Sequence, residues 1–362
     1  MTDKPLRVAV ISTGGVGSIA IRAVARRANY ELVGVWVYSP DKVGADAGEL
    51  VGAGPLGVRT TGDLDDIIAL APDCAVYTAT GPEMDAAAVR DYVRLLEAGI
   101  NVVTTNTPGM MFPDNWIPDL VEKVRAGATA GKATIYTSGI EPGFAGDQLA
   151  VVLTTLSNTI RSIRAQEIFD YSDYPNTYFM VDVMGFGKPL DFTPLLALDG
   201  AQQLAWGPPI GLVARALDIT LDEVIERYER VVTPRELVVA CGVIPAGTCG
   251  AVRAETMGMV DGEPVIVIEH VNRMAPDLAP EWASAPNGTY QLVIDGEPNI
   301  TCDLRLGAAD TPAAANAAGM EATAMRVVNA IPYVVDAPPG IATSLDLPLT
   351  APRNALERRV ST

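Results

Sequence analysis

The strongest constraint on the fold comes from residues 7–19, where a short apolar run leads directly into a glycine-containing turn and then a helical pattern. The apolar run predicts a buried strand, and the apolar residues that recur on one face after it predict an amphipathic helix. A turn at the N-terminus of a helix exposes backbone N–H groups, which favour an anion such as a dinucleotide pyrophosphate. The segment therefore predicts the first strand, turn and helix of a dinucleotide-binding domain.

The turn departs from the G-x-G-x-x-G fingerprint at one position. Ser12 stands where the first glycine is expected, while Gly14 and Gly17 keep the other two. Gly14 permits close approach of the backbone to a ligand, and Gly17 permits tight packing of the helix on the strand. A strand, turn and helix with chance glycines would show the same short pattern, so the later segments decide. The residues predicted to hold the cofactor phosphates are Ser12, Thr13, Gly14, Gly15, Val16 and Gly17.

The segment after the second predicted strand indicates which dinucleotide is bound. Enzymes that use NAD usually have an acidic residue here, which binds the ribose 2′-hydroxyl. Ser39 and Lys42 instead suit a 2′-phosphate, the first by hydrogen bonding and the second by charge. NADP(H) is therefore favoured, and NAD(H) stays possible because Asp41 lies close to the expected acidic position.

Short strands and helices alternate up to about residue 147, which predicts an α/β domain with a doubly wound parallel sheet. In such sheets ligands bind beyond the carboxyl ends of the strands, where small and polar loop residues occur in this chain. The loop residues predicted to contact the cofactor are Ala79, Thr80, Gly81, Thr105, Asn106, Pro142, Gly143 and Phe144.

The pattern changes in the second half of the chain. A long polar strand is predicted over 159–170, a helical stretch through about 230, and then a strand-rich region. Asp261-Gly262 and Asp295-Gly296 are typical of hairpin turns. A last helix is predicted over 312–329, before Pro332. These features predict a second, α+β domain with a mixed, largely antiparallel sheet.

Composition excludes several classes of function. The formal net charge of −18 opposes binding to nucleic acid and to anionic membranes, and the sequence contains no apolar run long enough to span a bilayer. The four cysteines are scattered without metal-ligand spacing, which predicts reduced thiols and no metal site. The first strand follows the N-terminus at once, leaving no room for a signal peptide, so we expect a cytoplasmic protein with a small-molecule ligand.

Four segments together resemble one family. They are V-A-V-x-x-T-G-x-V-G-x-x-A-I-R from Val8, V-Y-S-P-x-K-V-G-x-D-A-G-E-L from Val37, G-I-x-P-G-F from Gly139 and A-T-A-M-R-V-V-N-A-I-P from Ala322. The chain resembles the dihydrodipicolinate-reductase-like oxidoreductases, especially the branch of 2,4-diaminopentanoate dehydrogenase and native amine dehydrogenases.

The resemblance implies a homodimer and an NAD(P)-dependent oxidoreductase. The implied domains are a Rossmann domain over 1–147, a sheet-based substrate-binding and dimerisation domain over 148–319, and a returning helix and tail over 320–362 that pack on the first domain.

Two family features are missing. The parent reductase has a His-His-Arg-x-Lys motif, which a chain with one histidine cannot contain. The amine-dehydrogenase branch usually has a glutamate just after the fourth strand, in the segment that matches Thr105–Pro108, and no carboxylate occurs there in this chain.

Candidate catalytic residues follow from these positions. Asn106 and Thr107 replace the expected glutamate and could bind the cofactor amide or a water, although neither is a useful base. Glu141 follows the fifth predicted strand, and an ordinary surface turn would explain it equally well. Tyr171 and Tyr174 could donate protons at a strand end, or could be ordinary core aromatics.

Further residues are candidates for the walls of the substrate pocket, with structural roles as the alternative. His270 shares a strand face with Ile266, Ile268 and Asn272 by alternation, and a lone strand histidine is more often structural. Asn329 could bind the nicotinamide amide or cap its own helix. The predicted pocket residues are Phe144, Tyr171, Tyr174, Tyr178, His270 and Thr323.

The leading hypothesis is an amine-dehydrogenase-like enzyme that transfers hydride between NADP(H) and a small amine or the matching ketone or imine. One alternative is a carbonyl or imine reductase of another pathway, with Tyr171 or Tyr174 as proton donor. The other is a non-catalytic NADP-binding sensor, which the missing carboxylate favours.

Overall fold

A computed structural model describes residues 4–79, 84–285, 288–307 and 311–356, so the predicted cofactor contacts Thr80 and Gly81 lie outside the described residues. The contacts between residues divide the chain into two compact units, one formed by Met1–Gly139 with Met320–Thr362 and the other by Ile140–Gly319. No helix in the described ranges is long and apolar enough to cross a membrane.

The elements alternate in the first part of the chain and are strand-rich in the second. The strands are β1 Leu6–Ile11, β2 Tyr30–Trp36, β3 Thr60–Thr61, β4 Cys74–Tyr77, β5 Asn101–Thr104, β6 Thr134–Thr137, β7 Thr159–Asp170, β8 Glu223–Val232, β9 Leu237–Val239, β10 Gly242–Ile244, β11 Cys249–Val260, β12 Glu263–Arg273, β13 Thr289–Glu297, β14 Ile300–Leu304 and β15 Gly340–Ala342. The helices are α1 Gly15–Arg26, α2 Ala47–Leu50, α3 Leu64–Ala69, α4 Met84–Glu97, α5 Pro118–Gly131, α6 Gln148–Thr154, α7 Ala201–Ala216 and α8 Pro312–Val335.

The first unit is a doubly wound parallel sheet, as the alternation predicts. Its seven strands have the order β15-β6-β5-β4-β1-β2-β3, and all of their pairings are parallel. Val8 and Val10 of β1 pack in one core with residues of α1 and α8, and the alternate residues Ala9 and Ile11 pack in another with α3, α4 and α5. Helices therefore cover both faces of the sheet, and the carboxyl ends of β1, β2, β4, β5 and β6 share one edge.

The second unit is built on a mixed sheet of order β14-β13-β7-β12-β11-β8. The β7–β12 pairing is parallel, and the other pairings are antiparallel. Core residues of β7, β11 and β12 pack on one face with residues of α7, which include Ile210 and Val213. The predicted α+β architecture with a largely antiparallel sheet is therefore confirmed.

Three local predictions are wrong. The helical stretch predicted to about residue 230 ends at Ala216, because residues 223–232 form the edge strand β8 with alternating exposed and half-buried side chains. Gly296 is not in a turn but pairs with Ile160, where a Cβ would lie 2.2 Å from the Thr159 carbonyl oxygen. α8 continues through Pro332 to Val335.

Candidate functional site

The turn after β1 has the geometry of an anion site. Gly14 is the N-cap of α1 and has no side chain that could cap this helix, whose first turn also contains no acidic residue. The first N–H groups of the helix therefore lack intrahelical partners, and Gly14 and Gly15 are exposed. Uncapped N–H groups and the positive end of the helix dipole favour a phosphate here.

Ser12 and Gly17, the first and last positions of the glycine fingerprint, have different roles in the turn. Ser12 has φ 105°, a conformation that favours glycine, and its Oγ accepts a hydrogen bond from the Gly14 N–H at 3.1 Å. At Gly17, a Cβ would lie 2.3 Å from the Ser12 carbonyl oxygen. The prediction that Gly17 permits close packing of helix and strand is confirmed, and Ser12 adapts to the turn at a cost in backbone strain.

A cation lies beside this turn. Lys42, at the end of the short helical turn Pro40–Lys42 that follows β2, donates from Nζ to Thr13 Oγ1 at 3.3 Å. Ser39 and Lys42 are both half-buried. The structure thus places the Lys42 ammonium group beside Thr13 of the turn. A cation at this position suits an anionic group of a dinucleotide, so the residues present fit such a cofactor.

The loop after β5 is held by hydrogen bonds between its own residues and to the loop after β4. The Asn106 amide donates to the Ala79 carbonyl oxygen at 3.0 Å and accepts from the Thr107 N–H at 2.8 Å. Thr107 has φ 54° and is fully buried, and its hydroxyl contacts Tyr92 Oη at 3.2 Å. Thr107 is therefore held within the loop by its own hydrogen bonds, and its catalytic role stays a prediction. Asn106 joins the loops after β4 and β5, and the backbone N–H of Thr105 in the same loop donates to the Tyr77 carbonyl.

The last helix meets α1 at both ends. Met320 Sδ lies 3.4 Å from the Cβ position of Gly15, which places this part of α8 beside the turn, and Thr323 lies one helical turn further on, half-buried. Asn329 Oδ1 accepts from the Arg27 guanidinium at 2.6 Å, just past the C-terminal end of α1. Because α1 has 12 residues, Asn329 lies roughly 18 Å from the turn, at the amino edge of the sheet. We therefore exclude Asn329 from the cofactor site.

A polar row crosses one face of the second unit's sheet. Tyr290 of β13 pairs with Glu167 of β7, Glu167 pairs with His270 of β12, and His270 pairs with Ala254 of β11. This is the face on which α7 packs, as Ile266 and Ile268 of β12 show. The prediction that His270 shares a face with Ile266, Ile268 and Asn272 is confirmed, but Glu167 at the centre of the row was missed.

Glu167 is a buried carboxylate with two donors on one oxygen. The side chain is 6% exposed. Its Oε1 accepts from the Tyr171 hydroxyl and from Asn272 Nδ2, the latter at 3.3 Å. Burial raises the pKa of Glu167 to about 7, although the hydrogen bonds from Tyr171 and Asn272 lower it. Glu167 therefore changes its protonation near neutral pH, as a general acid–base group does.

Glu141 is a second acid in the same unit, a half-buried residue whose Oε1 is buried. Its Oε1 has no hydrogen-bond partner in the described part of the chain. Burial raises the pKa of Glu141 well above its usual range, and the carboxylates of Asp147 and Glu167 raise it further against a hydrogen bond from the Gly146 backbone. The bland alternative of a solvated turn carboxylate is therefore excluded.

His270 is neutral in this environment. Its Nε2 lies 3.9 Å from Glu167 Oε2, and its ring stacks on Trp206 with centroids 4.2 Å apart. Burial lowers the pKa of His270 to about 3, so the imidazole does not form an ion pair near neutral pH. Nδ1 has no partner among the described residues.

Aromatic rings cluster beside Glu167. Tyr171 lies 5.3 Å from Tyr174 between ring centroids, and Phe169 lies 4.9 Å from Tyr290. Burial raises the pKa values of Tyr171 and Tyr174, and the Glu167 carboxylate raises them further. Tyr178 is 45% exposed, whereas Tyr171 and Tyr174 are half-buried and Phe169 and Tyr290 are buried.

The segment 141–147 belongs to the second unit. Pro142, Gly143 and Phe144 form turns there and do not begin a helix, because α6 starts only at Gln148 with Asp147 as its N-cap. Gly143 has φ 122°, a conformation that favours glycine. Their roles in cofactor binding, and that of Phe144 in the pocket, stay predictions.

Two family descriptions match this sequence. The 2,4-diaminopentanoate dehydrogenase C-terminal domain matches residues 144–361, which is more than half of the chain. The dihydrodipicolinate reductase N-terminus matches residues 6–108.

Relatives cover nearly the whole chain. An amine dehydrogenase of Streptomyces virginiae is 37% identical over 361 residues, covering 97% of this chain and 99% of the relative. A 2,4-diaminopentanoate dehydrogenase of Acetoanaerobium sticklandii is 24% identical, covering 95% and 94%. The solved structure of an amine dehydrogenase from Mycobacterium smegmatis has the same fold, with a TM-score of 0.76, 22% identity and coverage of 98% and 99%. The chain belongs to the 2,4-diaminopentanoate dehydrogenase and amine dehydrogenase family of nicotinamide-nucleotide oxidoreductases.

Proposed function

We propose that this protein is an amine dehydrogenase that prefers NADP(H) and acts on a small amine and the matching ketone or imine. The observation that carries the cofactor half is the uncapped helix N-terminus with Lys42 bonded to Thr13. The amine half is supported by full-length similarity to an amine dehydrogenase. When bound, the nicotinamide accepts or gives the hydride.

The turn and the segment after β2 divide the binding of the cofactor. The N–H groups at Gly15, Val16 and Gly17 would bind the pyrophosphate, since the N-cap residue Gly14 has no side chain to cap them. Ser39 and Lys42 would bind the 2′-phosphate. The loops at Ala79 and Thr105 would line the rest of the cofactor, held in place by the Asn106 amide.

The segment Thr105–Pro108 contains no carboxylate, and neither Asn106 nor Thr107 is a useful base, so we place the acid–base group elsewhere. Glu141 and the tyrosines Tyr171 and Tyr174 are the predicted candidates that the second unit offers. His270 and Phe144 are proposed as pocket residues of the second unit, and Thr323, which belongs to the first unit, stays a predicted pocket residue.

A carbonyl or imine reductase is the second candidate function. It is favoured by the Tyr171 hydroxyl, which donates to Glu167 and could pass a proton to a carbonyl oxygen. Only this candidate requires a large loss of turnover when Tyr171 or Tyr174 is replaced by Phe.

The proposal is tested by incubating the purified protein with small ketones, ammonium and either NADPH or NADH, and following consumption of the reduced nicotinamide. We expect turnover with several ketones and a higher kcat/KM with NADPH. Absence of turnover with both cofactors over the panel, while NADPH still binds, would overturn the proposal and favour the non-catalytic sensor.

The biological setting follows from the same reasoning. We propose a cytoplasmic homodimer with a small-molecule substrate and no nucleic-acid or membrane partner, in which residues 148–319 bind substrate and form the dimer. Support comes from the net charge of −18 and from the family resemblance.

A further inference from the structure

We propose that the amine nitrogen of the substrate binds against an acceptor cluster formed by Glu141, Glu167 and Asn272, and that Glu167 exchanges its proton. This inference rests on the proposed function and names the group that replaces the missing carboxylate. All three residues belong to the second unit, where Asn272 donates to Glu167 at 3.3 Å and the Glu167 carboxylate acts on the pKa of Glu141.

The cluster contains two buried acceptor atoms that lack a donor in the described ranges. Asn272 is fully buried, and its Nδ2 donates to Glu167 while its Oδ1 has no partner in the described ranges. Glu141 Oε1 is likewise buried and unpartnered there. Buried acceptors are rarely left without a donor, because each costs roughly 1–3 kcal/mol. A ligand with several N–H donors satisfies them, and an ammonium group has three.

The acids of the cluster also lack a basic partner among the described residues. Neither Glu141 nor Glu167 forms an ion pair with a lysine or arginine among the described residues, although the same sheet pairs Glu255 and Glu269 with arginines. The titratable groups that face the cluster are Asp147, His270, Tyr171, Tyr174 and Tyr290, and none of them is a cation near neutral pH. Burial disfavours the carboxylate forms of Glu141 and Glu167, and a bound cation would stabilise them, so the cluster suits a cationic ligand.

The two carboxylate oxygens of Glu167 differ in their contacts. Tyr171 and Asn272 both donate to Oε1 of Glu167, so this oxygen is held in place. Among the described residues, Oε2 faces His270 Nε2. The two atoms are 3.9 Å apart, which is beyond hydrogen-bond distance. Oε2 is therefore free to accept a proton, and Tyr171 and Asn272 are positioning residues.

The proton step balances within the site. Oε2 forms an O–H bond as one N–H bond of the substrate ammonium breaks, leaving a neutral amine and a carboxylic acid. No electrons are transferred in this step. It frees the nitrogen lone pair that the C=N bond needs when hydride leaves the carbon. In the reductive direction Glu167 returns the proton to the product amine.

Glu167→Gln is the direct test, because glutamine keeps the shape and the acceptor for Tyr171 but cannot exchange a proton. We expect kcat/KM for amine oxidation to fall roughly 100-fold or more, the range of general acid–base catalysis. The NADPH dissociation constant should stay within about twofold of wild type, since the phosphate turn is untouched. Glu263→Gln, at an exposed position on β12, is the matched control and should change neither value.

Tyr171→Phe tests the site if Glu167→Gln does not fold. It removes a hydrogen bond that lowers the pKa of Glu167 but keeps the carboxylate. The acidic limb of the pH profile of kcat/KM should therefore move to higher pH, with turnover retained on the alkaline side. A merely structural tyrosine would lower thermal stability and leave the limb in place.

The outcomes separate the two proposals. If the wild type turns over no amine, the proposed function fails. If the wild type is active and Glu167→Gln keeps at least a third of its kcat/KM, or if the Tyr171→Phe limb does not move, the function stands and this inference is overturned.

Discussion

Glu167 shows what a single residue's surroundings add to its chemical type. Alternation along β7 places it on the same face as Ile163 and Ala165, a signal that the sequence contains. Its partners Asn272 and His270 come from a strand about a hundred residues later. The sequence could therefore reveal a carboxylate on an apolar face, but not the donors that set its pKa.

The raised pKa predicts how stability depends on pH. Protonated Glu167 suits the buried site, so the stability it contributes is fully present below its usual pKa of 4.5 and is lost as pH rises through about 7. Glu167→Gln has no charge to bury. The difference between its free energy of unfolding and that of the wild type should therefore rise across that window, by on the order of 3 kcal/mol. Denaturant unfolding of both proteins at about pH 5 and about pH 8 measures this. A difference that is the same at both values would contradict the raised pKa.

At the scale of elements, the strand–turn–helix at the start was predictable because its signals are local. The apolar run, the glycines and the helical face lie within a few residues of each other. Gly296 shows the limit, since Asp295-Gly296 is typical of a turn and yet lies inside β13. Its role is set by close approach to Thr159 on β7, a contact that no local pattern encodes.

The position of Lys42 at the turn predicts its effect on cofactor choice. Lys42→Ala should raise the KM for NADPH roughly 10- to 100-fold, the range for loss of a charged hydrogen bond, and leave the KM for NADH nearly unchanged. Lys123→Ala, at an exposed position on α5, is the control. Equal losses with both cofactors would show that Lys42 does not contact the 2′-phosphate.

For the whole molecule, the fold class was predictable because it depends on the order and type of elements, and both the parallel and the mixed sheet are observed. The candidate site was not, because Glu141, Glu167 and Asn272 converge from three separate segments. At the position where the resemblance implies a glutamate, Asn106 and Thr107 make hydrogen bonds within the loop and to Ala79, and their roles stay predictions.

The proposed homodimer is a prediction about the whole molecule. Light scattering of the purified protein should give twice the chain mass of 38.1 kDa, and this mass should persist on dilution to assay concentrations. A mass of one chain under conditions of full activity would contradict the dimer without touching the site.

The proposal that this protein forms an amine from a ketone and ammonium is tested most directly by measuring NADPH oxidation with one small ketone, with and without ammonium. The product is identified by mass. If the buried acceptors of the second unit bind an amine nitrogen, NADPH is consumed only when ammonium is present, and the product is the amine. NADPH consumption of equal rate without ammonium, with the alcohol as product, would contradict the account and establish a carbonyl reductase instead.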